Sequence, residues 1–265
     1  MHRHAVVLVF LLAFANAGAQ TGKAVQQIPV SDPMAISLAQ QAVKALGGGA
    51  LISDVTLNAN VISVYGSDYE TGTGTFAAKG TGESRVDLNL SGGTRSDVRN
   101  QANGLPAGAW SQNGAPSTAY AQHNCWTDAA WFFPALSSLT QAANPNYLFK
   151  YIGQEQHGGM SVQHIRVLLV IQNDTTGMFQ RLSAVDFFLD LTTNLPDAVG
   201  TYTHPDNDSG TNIPVEVRFA AYQSVNGVML PFRFQQMFNG GVVLDAKVTN
   251  AVLNTGLVDS LFTLP

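Results

Sequence analysis

Apolar and polar residues alternate strictly in the last fifth of the chain. A period of two predicts strands with one buried face. Asn226-Gly227 and Asn239-Gly240 separate the alternating runs, and Asn-Gly between such runs is a strong hairpin signal. We therefore predict consecutive antiparallel strands, with apolar positions at Val215, Val217 and Phe219, at Phe232 and Phe234, and at Leu244, Ala246 and Val248.

Shorter runs of the same kind cover most of the remaining chain. They are residues 58–65, 73–78, 85–90, 94–98, 147–156, 161–171 and 182–190. Polar turns separate them at intervals of roughly ten residues, which is typical of an antiparallel meander. Residues 100–124 differ, because they are rich in Gly, Ala, Pro, Asn and Ser. We predict a long connection there, of the kind that often carries function.

Three segments have helical features. Asp32 can cap a helix that begins at Pro33, and Gly47 follows its last turn. Thr127 can cap a short second helix, and Pro134 can begin a third that ends near residue 143. The first helix is amphipathic, with apolar residues at Ile36, Ala39, Val43 and Leu46.

These elements predict an α+β fold built on a wide, curled antiparallel sheet. We expect an unclosed half-barrel of about nine to eleven strands, because a sheet of this width curls. Two or three helices should cover its concave face, since an amphipathic helix needs an apolar surface. Such an arrangement leaves room for an apolar cavity.

Composition narrows the classes of partner. Charged residues make up 12% of the 265-residue chain, against about 25% in a typical domain, and the formal net charge is −5. No block of Lys or Arg is present, so nucleic acid and anionic membrane surfaces are poor candidates. Cys125 is the single cysteine, which excludes an intramolecular disulfide. It is a buried small residue or a nucleophile, and the absence of a partner motif favours burial.

The N-terminus has the three-part layout of a secretory signal peptide. Residues 5–15 are apolar, and Ala17-Gly18-Ala19 fits a cleavage site. This stretch is shorter than the about 20 residues that span a bilayer. We predict a signal peptide over residues 1–19 and a single domain over 20–265. The residue directly after the cleavage site is Gln20 and not a cysteine, so we expect a periplasmic or extracellular protein without a lipid anchor or membrane span.

The order of these parts resembles the outer-membrane lipoprotein carrier (LolA/LolB-like) superfamily, and most closely its uncharacterised secreted bacterial members. A helix that ends in glycines precedes a meander, and the last fifty residues carry the remaining motifs. These are Leu230-Pro231-Phe232, Asn239-Gly240-Gly241, Val248-Thr249-Asn250, Leu257-Val258-Asp259 and Phe262-Thr263-Leu264-Pro265. The resemblance implies an unclosed antiparallel barrel with a helical lid over an apolar cavity. It also implies a lipid or a lipidated protein as the partner.

Few residues suggest catalysis or metal binding. No G-x-S-x-G, H-E-x-x-H or C-x-x-C motif is present, so we predict no cofactor, no metal and no catalytic residue. His164 lies within an apolar strand and is a packed histidine or a metal ligand. Residues 204–210 are a polar turn or a calcium loop. Asp186 and Asp190 could share acid–base work or simply face solvent on one strand.

The leading functional hypothesis is non-catalytic binding of an apolar ligand. Each buried methylene group contributes about 0.8 kcal/mol, so an acyl chain needs no charged contact. The connection over residues 100–124 would gate access. The alternatives are a structural or partner-binding envelope protein with a filled core and, third, a secreted enzyme. The predicted cavity walls are Phe187, Leu189, Phe219, Phe232, Phe234, Leu244 and Val248, with Trp131 and Phe132 above them as a lid or as a core plug.

Overall fold

A computed structural model describes residues 30–48, 52–172 and 174–264. The predicted signal peptide lies outside these ranges and stays a prediction. Among the described residues, no helix combines the length and the apolar character needed to cross a membrane.

The described residues form one antiparallel sheet of 13 strands. The first six are β1 (Asp54–Tyr65), β2 (Asp68–Lys79), β3 (Ser84–Leu90), β4 (Gly93–Ala102), β5 (Leu105–Gln112) and β6 (Thr118–Ala119). The others are β7 (Tyr147–His157), β8 (Met160–Leu169), β9 (Val185–Asp190), β10 (Pro196–Thr203), β11 (Ile213–Val225), β12 (Val228–Phe238) and β13 (Gly241–Leu253). The predicted α+β fold with an unclosed antiparallel sheet is confirmed, with more strands than expected.

The strand order explains where the cavity lies. Across the sheet the order is β6-β5-β4-β3-β2-β1-β13-β12-β11-β10-β9-β8-β7. Two meanders therefore meet where β1 pairs with β13, and the two edge strands are β6 and β7. The chain between these edges, residues 120–146, has to cross one face of the sheet. We call residues 120–146 the lid segment.

The contact between two phenylalanines shows that the sheet curls. Phe76 on β2 and Phe234 on β12 are separated by β1 and β13, a distance of about 14 Å in a flat sheet. Their rings nevertheless meet edge to face with centroids 4.9 Å apart. The sheet thus curls around the lid segment, and Gly74 leaves space for the Phe76 ring, which lies 2.8 Å from the position that a Cβ atom would take.

The predicted first helix is confirmed as α1 (Pro33–Ala45). The Asp32 carboxylate accepts a hydrogen bond of 2.8 Å from the Met34 amide, and Pro33 occupies the first turn. The Asp32 amide in turn donates to the Phe149 carbonyl and fixes the helix start to the edge strand β7. The buried face is rotated from the predicted one and consists of Ala35, Leu38, Ala39 and Ala42.

The lid segment contains 3₁₀ turns where longer helices were expected. These turns are Gln122–Cys125, Pro134–Leu136 and Ser138–Gln141. The prediction that Thr127 caps a helix was wrong, whereas Pro134 does begin a turn. A second short helix, α2 (Met178–Leu182), precedes β9, and a 3₁₀ turn at Asp259–Phe262 lies near β3 and β4.

The prediction of a long connection over residues 100–124 was wrong. β4 continues to Ala102, and β5 returns from Leu105, so most of the segment belongs to the sheet. Asn103 and Gly104 both have positive φ, of 54° and 74°, and form the hairpin turn. The poor strand propensity of the segment is overridden because each residue of β5 pairs with β4. The segment therefore forms part of the sheet rather than a gating loop.

Candidate functional site

A cavity of about 550 Å³ lies between the lid segment and the concave face of the sheet. This volume falls within the range of about 300–1,000 Å³ that is typical of small-molecule sites. Strands from both meanders line it, together with the lid segment, so the cavity exists only because the sheet curls. Its apolar wall includes Val86, Leu88, Val199, Val215, Val217 and Leu244.

An aromatic cluster anchors the lid segment to the sheet. The Phe132 ring lies 5.4 Å from Phe76 and 6.3 Å from Phe234, centroid to centroid. Trp131 meets Phe234 edge to face at 5.9 Å, and it also lines the cavity. Phe132 is fully buried. Phe132 therefore lies in the core, as expected of a core plug, and Trp131 faces the cavity, as expected of a lid.

The structure divides the nine predicted wall residues into three sets. Trp131 and Leu244 line the cavity. Phe232 is partly buried against the core. The other six are buried within the same hydrophobic core, beneath the cavity surface, and these are Phe132, Phe187, Leu189, Phe219, Phe234 and Val248.

Strand β4 adds charge to the cavity wall. Arg95, Asp97 and Arg99 alternate along it and all three line the cavity. The alternation places them on one face of the sheet over about 13 Å of strand. Sequence reasoning did not select these residues, because Val98 between them predicts the opposite face as the buried one. Both faces are covered here: Val98 is buried as well, and the turn that carries Phe262 lies against β3 and β4.

Arg95 lies toward the hairpin end of the cavity. Its guanidinium forms an ion pair with Glu70, donates to the Ser63 hydroxyl at 3.1 Å and lies 5.9 Å from the Tyr65 ring centroid. Tyr65 is 75% exposed and lines the cavity. Phe238, which is 45% exposed, lies at the neighbouring hairpin and also lines it. Exposed aromatic side chains thus form this end of the wall.

Two carboxyl groups with raised pKa lie farther in. Burial raises the pKa of Asp97 to about 6, although the Tyr120 hydroxyl donates a hydrogen bond to it and Arg99 is close. Burial likewise raises the pKa of Asp128 to about 6. The Asp128 carboxylate accepts hydrogen bonds of 3.0 Å from the Ser138 amide and 2.9 Å from its hydroxyl. Both carboxyls can therefore change charge near pH 6.

The remaining candidates for chemistry are buried or hydrogen-bonded within the protein. The His164 imidazole is buried and lies 2.7 Å from Asp186, which also holds Arg166. Asp190 instead accepts hydrogen bonds from the amides of Thr192 and Thr193, so the two aspartates have separate partners. Burial raises the pKa of the Cys125 thiol, which is 4% exposed.

Residues 204–210 form a polar turn. The Asp208 carboxylate accepts from the Gly210 amide at 2.8 Å and the Thr211 hydroxyl at 2.6 Å, and so closes its own turn. His204 is buried against Asn124 and Asn212. Within the described ranges, no three His, Cys, Asp or Glu side chains come together as a metal site.

No protein-family model and no curated protein matches the chain. Solved structures do. A domain assigned to an outer membrane lipoprotein-sorting protein from Vibrio parahaemolyticus superposes with a TM-score of 0.54 at 13% identity, over 86% of this chain and 96% of that one. A DUF1329 family protein from Desulfovibrio piger gives a TM-score of 0.53 at 11% identity, over 87% and 96%. A LolA superfamily protein from Nitrosomonas europaea superposes with a TM-score of 0.49 at 12% identity, over 86% of this chain and 97% of that one.

At these identities the likeness concerns the fold. The first two overlays cover 86% and 87% of this chain and 96% of each neighbour, so the likeness extends over most of the fold. The resemblance noted from the sequence is confirmed at this level: the chain has the fold of outer-membrane lipoprotein-sorting domains.

Proposed function

We propose that this protein binds a lipid-class ligand, with its acyl chain in the cavity between the lid segment and the sheet. The observation that carries this proposal is the cavity itself, about 550 Å³ in volume with a wall of Val and Leu side chains and Trp131. Burial of each methylene group contributes about 0.8 kcal/mol, so such a wall holds a chain of this kind by apolar contact alone.

The matched structures support this choice of ligand class. The Vibrio parahaemolyticus domain is assigned to lipoprotein sorting, so a lipid or a lipidated protein is the cargo that we extend to this chain. We further propose a non-catalytic role in the periplasm or outside the cell, after export. Among the predicted wall residues, Trp131 and Leu244 would contact the ligand, and Phe132 and Phe234 would support them from the core.

The alternative of a structural protein with a filled core is less well supported, because a filled core leaves no cavity. A tight cluster of His204, Asp206 and another carboxylate around a metal would favour the enzyme alternative. His204 is instead held by Asn124 and Asn212, and Asp206 is exposed. Binding therefore remains the function that we propose.

Native mass spectrometry tests the proposal directly. The full chain, purified from its own host without detergent, should show a mass above that of the denatured chain, and an organic extract should contain the lipid. After delipidation, the neutral probe N-phenyl-1-naphthylamine should bind and become fluorescent. Trp131→Ala should weaken binding of the probe about tenfold or more, because the substitution removes a large apolar contact.

Trp110→Ala is the matched control, because Trp110 is 42% exposed on β5 and does not line the cavity. It should bind the probe as the wild type does. A wild-type protein that carries no lipid and takes up neither the probe nor a fatty acid would overturn the proposed function.

A further inference from the structure

We propose that the inner end of the cavity binds an anionic headgroup, a carboxylate or a phosphate ester, through the guanidinium group of Arg99. This inference rests on the proposed function, since the acyl chain of the same ligand would occupy the apolar part of the cavity. It adds a charge selectivity that the apolar wall does not provide.

Arg99 has an unused donor. Its Nη2 atom is buried and has no hydrogen-bond partner. Among the described residues, no carboxylate lies within ion-pair distance of Arg99, although the side chain lines the cavity. A buried donor without an acceptor is unfavourable, and more so when the group is charged. Because the Arg99 side chain lines the cavity, an anion bound there would give its guanidinium group an acceptor.

The other arginines of the described ranges show that this is unusual for the chain. Each of them is hydrogen-bonded or ion-paired within the protein. The pairs are Arg85 with Asp87, Arg95 with Glu70, Arg166 with Asp186, Arg181 with Asn212, Arg218 with Glu216, and Arg233 with Asp245. Arg99 is thus the guanidinium that the fold leaves available.

Two carboxyls that interact with Arg99 through space already accept hydrogen bonds from other donors. Asp97 accepts from the Tyr120 hydroxyl, and Asp128 accepts from the amide and hydroxyl of Ser138. Both interact with Arg99 through space and neither contacts it directly. Because the pKa of each carboxyl is about 6, protonation below that pH leaves the charge of Arg99 unopposed.

The position of Arg99 is built into the sheet. Arg99 pairs with Gly108 on β5. A Cβ atom at Gly108 would lie 2.8 Å from the Arg99 Cδ atom and 3.0 Å from the Tyr120 ring. The two side chains therefore lie over the space that the glycine leaves. A guanidinium held in this way can bind both oxygens of a carboxylate or a phosphate.

Three ligands with one chain length test the inference. They are dodecanoate, dodecyl phosphate and dodecan-1-ol, each used to displace N-phenyl-1-naphthylamine from the delipidated full chain at pH 6. The wild type should bind at least one of the two anions about tenfold or more tighter than the alcohol. The tighter anion identifies the headgroup as a carboxylate or a phosphate ester.

Arg99→Gln should remove this preference, and Arg99→Lys should keep part of it, because the lysine retains the charge. Arg85→Gln is the control, since Arg85 contacts the C-terminal turn through the Leu261 carbonyl and lies outside the cavity wall. Equal affinity of the wild type for the alcohol and both anions would overturn the inference and leave the proposed function intact. So would a preference that survives in folded Arg99→Gln. If neither the probe nor any of the three ligands binds, the proposed function fails and the inference fails with it.

Discussion

Gly108 on β5 lies directly opposite Arg99 on β4, and its missing side chain makes room for the arginine. The nearest atoms to a Cβ at this position would be the Val98 carbonyl oxygen at 2.7 Å, the Arg99 Cδ at 2.8 Å and the Tyr120 ring at 3.0 Å. One of these is backbone, so the site cannot relax by side-chain rotation alone. The glycine thus sets where the Arg99 guanidinium lies in the cavity.

Gly108→Ala should displace Arg99 and Tyr120 together. We expect a loss of about 1–3 kcal/mol in the free energy of unfolding, as is usual for an overpacked site. We also expect the variant to prefer dodecanoate or dodecyl phosphate over dodecan-1-ol less strongly than the wild type does. Urea denaturation and probe displacement measure the two effects.

Gly241→Ala is the matched control for this prediction, because its nearest neighbour would be the Phe238 carbonyl oxygen at 3.7 Å. It should leave headgroup preference unchanged. If Gly108→Ala keeps both the stability and the headgroup preference of the wild type, the packing argument is wrong.

Phe132→Ala should destabilise the protein strongly. The ring is fully buried and contacts Phe76, Trp131 and Phe234. Removal of such a ring typically lowers the free energy of unfolding by about 3–5 kcal/mol. Phe238→Ala, at a side chain that is 45% exposed, should change it by less than about 1 kcal/mol. Comparable losses for the two variants in urea denaturation would contradict the view that Phe132 anchors the lid segment.

Asp128→Asn should make the protein more stable at neutral pH. The pKa of Asp128, about 6 in the folded protein, lies above its ordinary value of 3.8 because the carboxyl is buried. The folded state therefore binds the proton more tightly than the unfolded state, and the free energy of unfolding decreases as pH rises between these two values. The amide imitates the protonated carboxyl, so the variant and the wild type should have the same free energy of unfolding near pH 4. At pH 7.5 the free energy of unfolding of the variant should be higher by on the order of 2 kcal/mol.

Thermal and urea unfolding from pH 4 to pH 8 measure this difference. Asp206→Asn, at an exposed position, should show no comparable change with pH. A difference between Asp128→Asn and the wild type that stays constant with pH would contradict the assignment.

Asp54→Asn should show the opposite dependence on pH. Burial alone would raise the pKa of Asp54, but hydrogen bonds from Thr255, Ser53 and Gly256 outweigh it and lower the pKa. The carboxylate therefore stabilises the fold above its unfolded pKa, and this contribution is lost as pH falls through the folded pKa. We expect a loss of about 1–2 kcal/mol at pH 7.

The loss should shrink as pH falls below the ordinary value of 3.8, because the folded carboxylate has the lower pKa and the unfolded wild type then binds the proton more tightly. Unfolding in urea at pH 7 and at pH 3 measures it, with the exposed Asp68→Asn at a hairpin as the control. An undiminished loss at pH 3 would show that charge is not the cause.

The Asn-Gly pairs show how well the local sequence predicts hairpin turns. Asn226-Gly227 and Asn239-Gly240 predicted hairpins, and all four residues have the positive φ that such turns require. Asn103-Gly104 carries the same signal, with φ of 54° and 74°, although the flanking residues have poor strand propensity. Pairing with β4 compensates for that propensity, so the turn signal was the better guide.

The sequence by itself determined the local elements: the Asp32 cap of α1, the hairpin turns, and the alternation that buries Val217, Phe219 and Phe234. Each depends on neighbours within a few residues. Tertiary structure alone decided what faces the cavity. Arg99 reaches it only because β5 pairs with β4, because Gly108 leaves space, and because the lid segment crosses from one sheet edge to the other. Contacts between residues far apart in sequence leave no periodic signal, so the polar end of the cavity became visible only in the folded chain.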